Sequence, residues 1–232
     1  MRFVAFIALL FVIAACAPAQ GPRAPDQVAQ QPVIAPPTPS DEHVAQPTDA
    51  KPNAEVQALS AKAGQIKSYT FDLARLPSFT ADVKYFVRGS KAKIKLVTPL
   101  RFDTWNADYI YLDYDARTAT AYCIDLDFCK KLNRTESVSF EQYGIKLPQQ
   151  WLDEIQYGVK KTSLQYNNRQ VNVVAWQEGA VDYEAYLDSF YGYPQRVAMI
   201  SGQGEDAKVI GGYEYQSMSF NTVKEEDVTA PY

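Results

Sequence analysis

The chain has 232 residues, with 23 Lys and Arg against 27 Asp and Glu, a formal net charge of -4 and a single His. A mildly acidic chain with no basic stripe interleaved with aromatics is not built to hold nucleic acid. The one imidazole, His43, lies near the N-terminus, so the rest of the chain has no Ser-His-Asp or Cys-His site and no zinc site that relies on His.

Taken in chain order, the first element is an export signal. One Arg precedes an apolar run of 13 residues, Phe3 to Ala15, which is too short to span a hydrocarbon core that needs about 20. The run ends in Ile13-Ala14-Ala15-Cys16. This step resembles the lipobox of prokaryotic lipoproteins, where the Cys thiol takes a lipid and becomes the first mature residue. The resemblance implies lipidation at Cys16 and a membrane partner held through that anchor. The competing expectation is an ordinary cleaved signal with a chance Cys beside the cut. No later stretch approaches 18 apolar residues.

Residues 16–55 follow. They carry nine of the fourteen prolines and no aromatic residue, so they cannot bury enough apolar surface to offset their ordering entropy. A semi-extended tether is expected, with His43 solvated inside it. The division is a signal over 1–15, an anchored tether over 16–55 and one domain over 56–232.

Within the domain, Val56 to Ile66 is Ala-rich and reads as a short helix. The period then changes to two. Val83, Tyr85 and Val87 alternate with Lys84, Phe86 and Arg88, and Gly89-Ser90 signals a hairpin. Lys91 to Leu96 alternates, placing Ala92, Ile94 and Leu96 on one face. Ile110, Leu112 and Tyr114 continue the pattern, and further strands read over Thr118 to Asp125, Val171 to Trp176, Val181 to Leu187, Gln195 to Ser201 and Lys208 to Phe220. Leu147 to Ile155 reads as a helix, with Pro148 in its first turn and Trp151 and Ile155 on one face. A long meander with one or two helices is α+β with a strongly curved antiparallel sheet.

Acid pairs at Asp113 and Asp115, and at Asp125 and Asp127, have the residue types for sugar hydrolysis or calcium binding. Spacing by two beside a turn favours solvated positions instead, and no metal, cofactor or catalytic residue is expected. Gly202 to Asp206 reads as a hairpin tip, and Asn133-Arg134-Thr135 as a surface loop carrying a glycosylation pattern. Cys123 and Cys129 remain an even pair once Cys16 is lipidated, in a compartment where disulfides persist. They are expected to staple a hairpin with its turn at Asp125 to Asp127 and a returning strand over Cys129 to Leu132, which adds at most about 3 kcal/mol. The abundance of large apolar and aromatic residues leaves two expectations open, a filled core or a cavity on the concave side.

The run Tyr186 to Val197, then Tyr213 to Val223 and the terminal Asp227 to Pro231, together with the helix before Ile66 to Phe71, resembles the LolA/LolB-like superfamily of lipoprotein carriers and related lipoproteins in its element order. The resemblance implies an incomplete β-barrel lidded by short helices around an apolar cavity that takes an acyl chain, from a lipid or a lipoprotein. Carried over, Val83, Tyr85, Val87, Ile94, Leu96, Ile110 and Leu112 would line the cavity and Trp151 would belong to the lid. The alternative is a structural or adhesive envelope module with a filled core.

Overall fold

A computed structural model describes residues 51–78, 81–125, 129, 134–202 and 204–231. The signal, Cys16 and the tether up to residue 50 lie outside the described residues. Among the described residues, no helix is long and apolar enough to cross a membrane.

The fold is one eleven-stranded antiparallel sheet, α+β in class and not closed into a barrel. Its first half is β1 (Ser68–Arg75), β2 (Ala81–Arg88), β3 (Lys91–Arg101), β4 (Asn106–Asp113), β5 (Thr118–Tyr122) and β6 (Thr135–Val138). The second half is β7 (Val159–Tyr166), β8 (Arg169–Glu178), β9 (Val181–Asp188), β10 (Pro194–Ser201) and β11 (Lys208–Phe220). Strand order is β6-β5-β4-β3-β2-β1-β11-β10-β9-β8-β7. Two meanders therefore run outwards from a central β1–β11 pair, and the sheet ends in two open edges, β6 and β7.

Helices are few and short: α1 (Ala54–Ser60), α2 (Phe140–Tyr143), α3 (Leu152–Ile155) and α4 (Glu225–Val228). The expected helix over 56–66 divides into α1 and a 3₁₀ turn over Ala61–Gln65. Asn53 caps α1 by accepting from the N–H groups of Glu55 and Val56. The helix expected over 147–155 is likewise a 3₁₀ turn, Pro148–Trp151, running into α3.

The alternation read from the sequence sorts the two faces. Tyr69, Phe71 and Leu73 of β1, Tyr85 and Val87 of β2, Ala92 and Ile94 of β3, and Ile110 and Leu112 of β4 belong to one buried cluster on the concave side. The alternate residues of β2 to β4, among them Lys84, Lys93, Lys95 and Tyr111, face the convex side. β7 carries no clean alternation and is half exposed along its length, which is why it escaped the sequence reading. Its hairpin to β8 turns through Asn167 and Asn168, both at positive φ.

Two expectations at the cysteines are corrected. β5 ends at Tyr122, short of Asp125, and β6 starts only at Thr135. Cys123 follows β5, and Cys129 sits on a helical turn and not on a returning strand. The cause lies at Asp108, whose carboxylate accepts from the N–H groups of Ile124 and Asp125, 2.8 and 2.7 Å away, and draws the chain out of the ladder. The two cysteines are nonetheless disulfide-bonded, with Cα atoms 5.1 Å apart. Asp127 lies outside the described residues.

Candidate functional site

The chain must pass from β6 at one edge of the sheet to β7 at the other, and residues 139–158 make this crossing over the concave face. This strap buries Phe140, Ile145, Leu147, Trp151 and Ile155 in the same cluster as the sheet's inward residues. A strap of short turns leaves carbonyls without ladder partners, and buried carbonyls need donors. Tyrosines rising from the sheet provide them. Tyr85 Oη donates to Tyr143 O at 2.8 Å, Tyr114 Oη to Ile145 O at 3.1 Å, and Tyr215 Oη to Lys146 O at 2.7 Å. Trp151 Nε1 donates back to Tyr215 Oη at 2.9 Å. A Tyr suits this task because its ring fills the core while its hydroxyl reaches a strap that lies a ring's length above the sheet.

One polar knot lies within the strap itself. The Lys146 ammonium pairs with Glu154 and sits 3.8 Å above the Trp151 ring. Burial holds the Glu154 carboxyl above its ordinary range, against the opposing pull of Lys146. Its second oxygen, and Trp176 Nε1 on β8, are buried without a hydrogen-bond partner. Burial also pushes the hydroxyls of Tyr69, Tyr85, Tyr114, Tyr193 and Tyr215 above the ordinary phenol value.

A recess of about 280 Å³ opens where the strap leaves a gap beside the 3₁₀ turn that follows α1. Ala63, Gly64, Ile66 and Leu152 provide apolar wall, Lys67 and Gly89 stand at its rim, and Tyr69, Tyr193 and Gln149 line it with polar ends. Both tyrosine hydroxyls point at Gln149 Oε1, Tyr193 at 3.2 Å, while Gln149 Nε2 reaches Gly89 O at 3.4 Å. From here a run of aromatic rings leads inwards, Tyr193 to Tyr69 at 5.2 Å, Tyr69 to Phe71 at 6.0 Å and Phe71 to Tyr85 at 4.9 Å. A second, more open recess of about 580 Å³ lies on β7 to β10 beneath the β10–β11 hairpin and includes Lys161, Gln177, Asp182 and Glu184.

Of the residues carried over as cavity lining, Tyr85, Val87, Ile94, Ile110 and Leu112 are buried beneath the strap, and Val83 and Leu96 are half-buried at the margin of the same cluster. Trp151 lies on the strap that covers them. None of the eight borders either recess, because the strap's own side chains fill the space above the sheet. Sequence reasoning missed Tyr69, Gln149, Leu152 and Tyr193. The available signal was the set of inward tyrosines, each of which demanded a polar partner opposite.

The described members of the acid pairs serve turns and surfaces. Asp113 accepts from the N–H groups of Asp115 and Ala116, both at 3.0 Å, and Asp125 accepts from Tyr109 Oη at 2.5 Å. Among the described residues no cluster of His, Cys, Asp and Glu is arranged to hold a metal ion.

No family model matches the chain, and no curated protein matches it. Solved structures do. MucB in complex with MucA aligns at 10% identity and a TM-score of 0.42, covering 76% of this chain and 59% of that one. The MucA/MucB complex of Pseudomonas aeruginosa aligns at 10% identity and 0.41, covering 76% and 60%, and MucB alone at 10% and 0.41, covering 77% and 63%. The chain thus spans less than two thirds of the length of these structures.

Proposed function

We propose that the chain is an exported lipoprotein, anchored through Cys16 on the extracytoplasmic side of a membrane, whose half-barrel is a non-enzymatic binding module for an acyl chain or a similar apolar group. The observation that carries the reading is the recess between the 3₁₀ turn and the strap, with apolar walls formed by Ala63, Ile66 and Leu152. Its volume, about 280 Å³, is near the lower end of ligand sites, so it suits the end of one chain and not a whole lipid. The strap supports the same reading, because it is fixed to the sheet by side-chain hydroxyls and not by a backbone ladder. The lipobox at Ile13 to Cys16, the disulfide and the LolA/LolB-like element order support export and carriage.

Native mass spectrometry of the protein purified without detergent is the test, paired with displacement of a fluorescent fatty acid. Co-purifying acyl species, lost when Leu152→Trp fills the recess, are expected. Protein free of lipid that displaces no probe would overturn the reading. One observation favours a second reading, a structural envelope module: the strap packs the concave face that a carrier would leave open. That reading predicts the lipid-free result.

A further inference from the structure

The convex face of β2 to β4 carries an arrangement that folding alone disfavours. In the strand register Lys84 stands directly opposite Lys95, and Arg88 directly opposite Lys91. Like charges placed across a ladder destabilise it. Lys93 lies between these pairs, opposite Phe86. Aromatic rings lie among the cations, with Lys93 Nζ 4.8 Å from the Phe86 ring and 5.5 Å from Tyr109, and Lys95 Nζ 5.6 Å from Tyr109. Five cations thus stand in a grid with aromatic rings, bordered in the register by Asp72 opposite Lys84 and Asp113 opposite Lys91.

The chain itself shows what this strip accepts. The C-terminal segment folds back so that α4 packs on β2 and β3. Glu225 bridges one like-charged pair, with Oε2 3.1 Å from Arg88 Nε and Oε1 3.7 Å from Lys91 Nζ. Burial disfavours the charged form of Lys93, and the charges of Asp227 and Asp125 both oppose that effect. Val223 and Val228, both buried, hold the segment down. The other like-charged pair has no such cover. Lys95 meets the exposed Asp125 at 3.5 Å beside Tyr109, and Asp72, opposite Lys84 on β1, closes no ion pair with Lys84. Among the described residues, no carboxylate lies within ion-pair distance of Lys84.

We propose that the convex strip of Lys84, Phe86, Lys93, Lys95 and Tyr109 is a docking surface for an acidic segment of a partner protein, with α4 as its intramolecular occupant over one half. The partner's chemistry follows from the occupant: carboxylates spaced to meet paired cations, followed by a small apolar side chain. A peptide fits better than a bilayer because the face is convex and a flat membrane would meet it along a narrow line. The surface is separate from the apolar recess and does not depend on it.

The probe is labelled poly-L-glutamate, with fluorescence anisotropy measured on the full chain at low salt. Binding is expected in spite of the net negative charge, weakening as salt rises. Lys84→Glu with Lys95→Glu is expected to lower the affinity about tenfold or more, as is the milder Lys84→Gln with Lys95→Gln. Lys161→Glu with Lys208→Glu makes the same change in net charge elsewhere and is expected to leave it within about twofold. Glu225→Gln with Asp227→Asn, which frees Arg88, Lys91 and Lys93, is expected to raise it severalfold. No binding, equal losses in both charge-reversed doubles, or no gain on freeing α4 would overturn the proposal. So would binding to phosphatidylglycerol vesicles through Lys84 and Lys95 without peptide binding, which would mark the strip as a membrane surface.

Discussion

At the scale of single residues, Tyr215 shows how the core is held. Its hydroxyl donates to Lys146 O and accepts from Trp151 Nε1 while its ring stays 2% exposed. Tyr215→Phe keeps the packing and strands a carbonyl and an indole N–H. A loss of about 1–3 kcal/mol in denaturant unfolding is expected, and a loss under about 0.5 would show that water replaces the hydroxyl. Glu154 makes a pH-dependent prediction. Burial raises its carboxyl above the ordinary 4.5 in the folded state, so the folded form gains by protonating it. Its contribution is therefore fully present below about 4.5 and is lost as pH rises through the raised value. The stability of wild type relative to Glu154→Gln should increase as pH falls from neutrality towards 4.5, and an unchanged or reversed difference would contradict the assignment.

At the scale of elements, the strap explains the tyrosine content. The 16 tyrosines include five beneath or beside the strap whose hydroxyls are shifted upwards by burial. Phenols with raised values stabilise the fold below the unfolded value near 10 and withdraw that contribution as pH rises through the folded values. Alkaline unfolding should therefore be steep above about pH 10, with tyrosine ionisation, followed by absorbance, coincident with loss of structure. Tyrosines that titrate smoothly in an intact fold would contradict this. Where the strap enters β7, Gly158 brings it against β8. A Cβ there would lie 2.5 Å from Val174 Cγ1 and 3.0 Å from both Ala175 O and Ile155 O. Gly158→Ala should cost about 1–3 kcal/mol by overpacking, read as a lowered melting temperature.

At the scale of the molecule, the sheet is centred on the pairing of β1 with β11, strands from the two ends of the domain. Neither meander has a complete core until the other is in place, so β1 and β11 amides should show the slowest hydrogen exchange, near the global unfolding free energy. Faster exchange there than in the β9–β10 hairpin would indicate that the halves open separately. The disulfide acts on a smaller loop. Cys123→Ala with Cys129→Ala should cost about 2 kcal/mol on the chain-entropy estimate and leave the sheet formed.

The alternation over Val83 to Leu96 and Ile110 to Leu112 determined by itself which side chains turn inwards, because a strand's period of two leaves no other choice once one face is buried. The order of strand and helix patterns in the same way determined the class, and composition the absence of imidazole chemistry in the domain. What lies above the inward face was beyond the reach of any local pattern. It depends on β6 and β7 ending at opposite edges, which sends residues 139–158 across the concave side and brings Gln149 to Tyr69 and Tyr193, far apart in the chain. The same holds for the convex strip, where the lysine alternation was legible but its cover was not. Only the return of the C-terminus onto β2 and β3 places Glu225 between Arg88 and Lys91, because a charge pair between distant segments is set by topology and not by spacing.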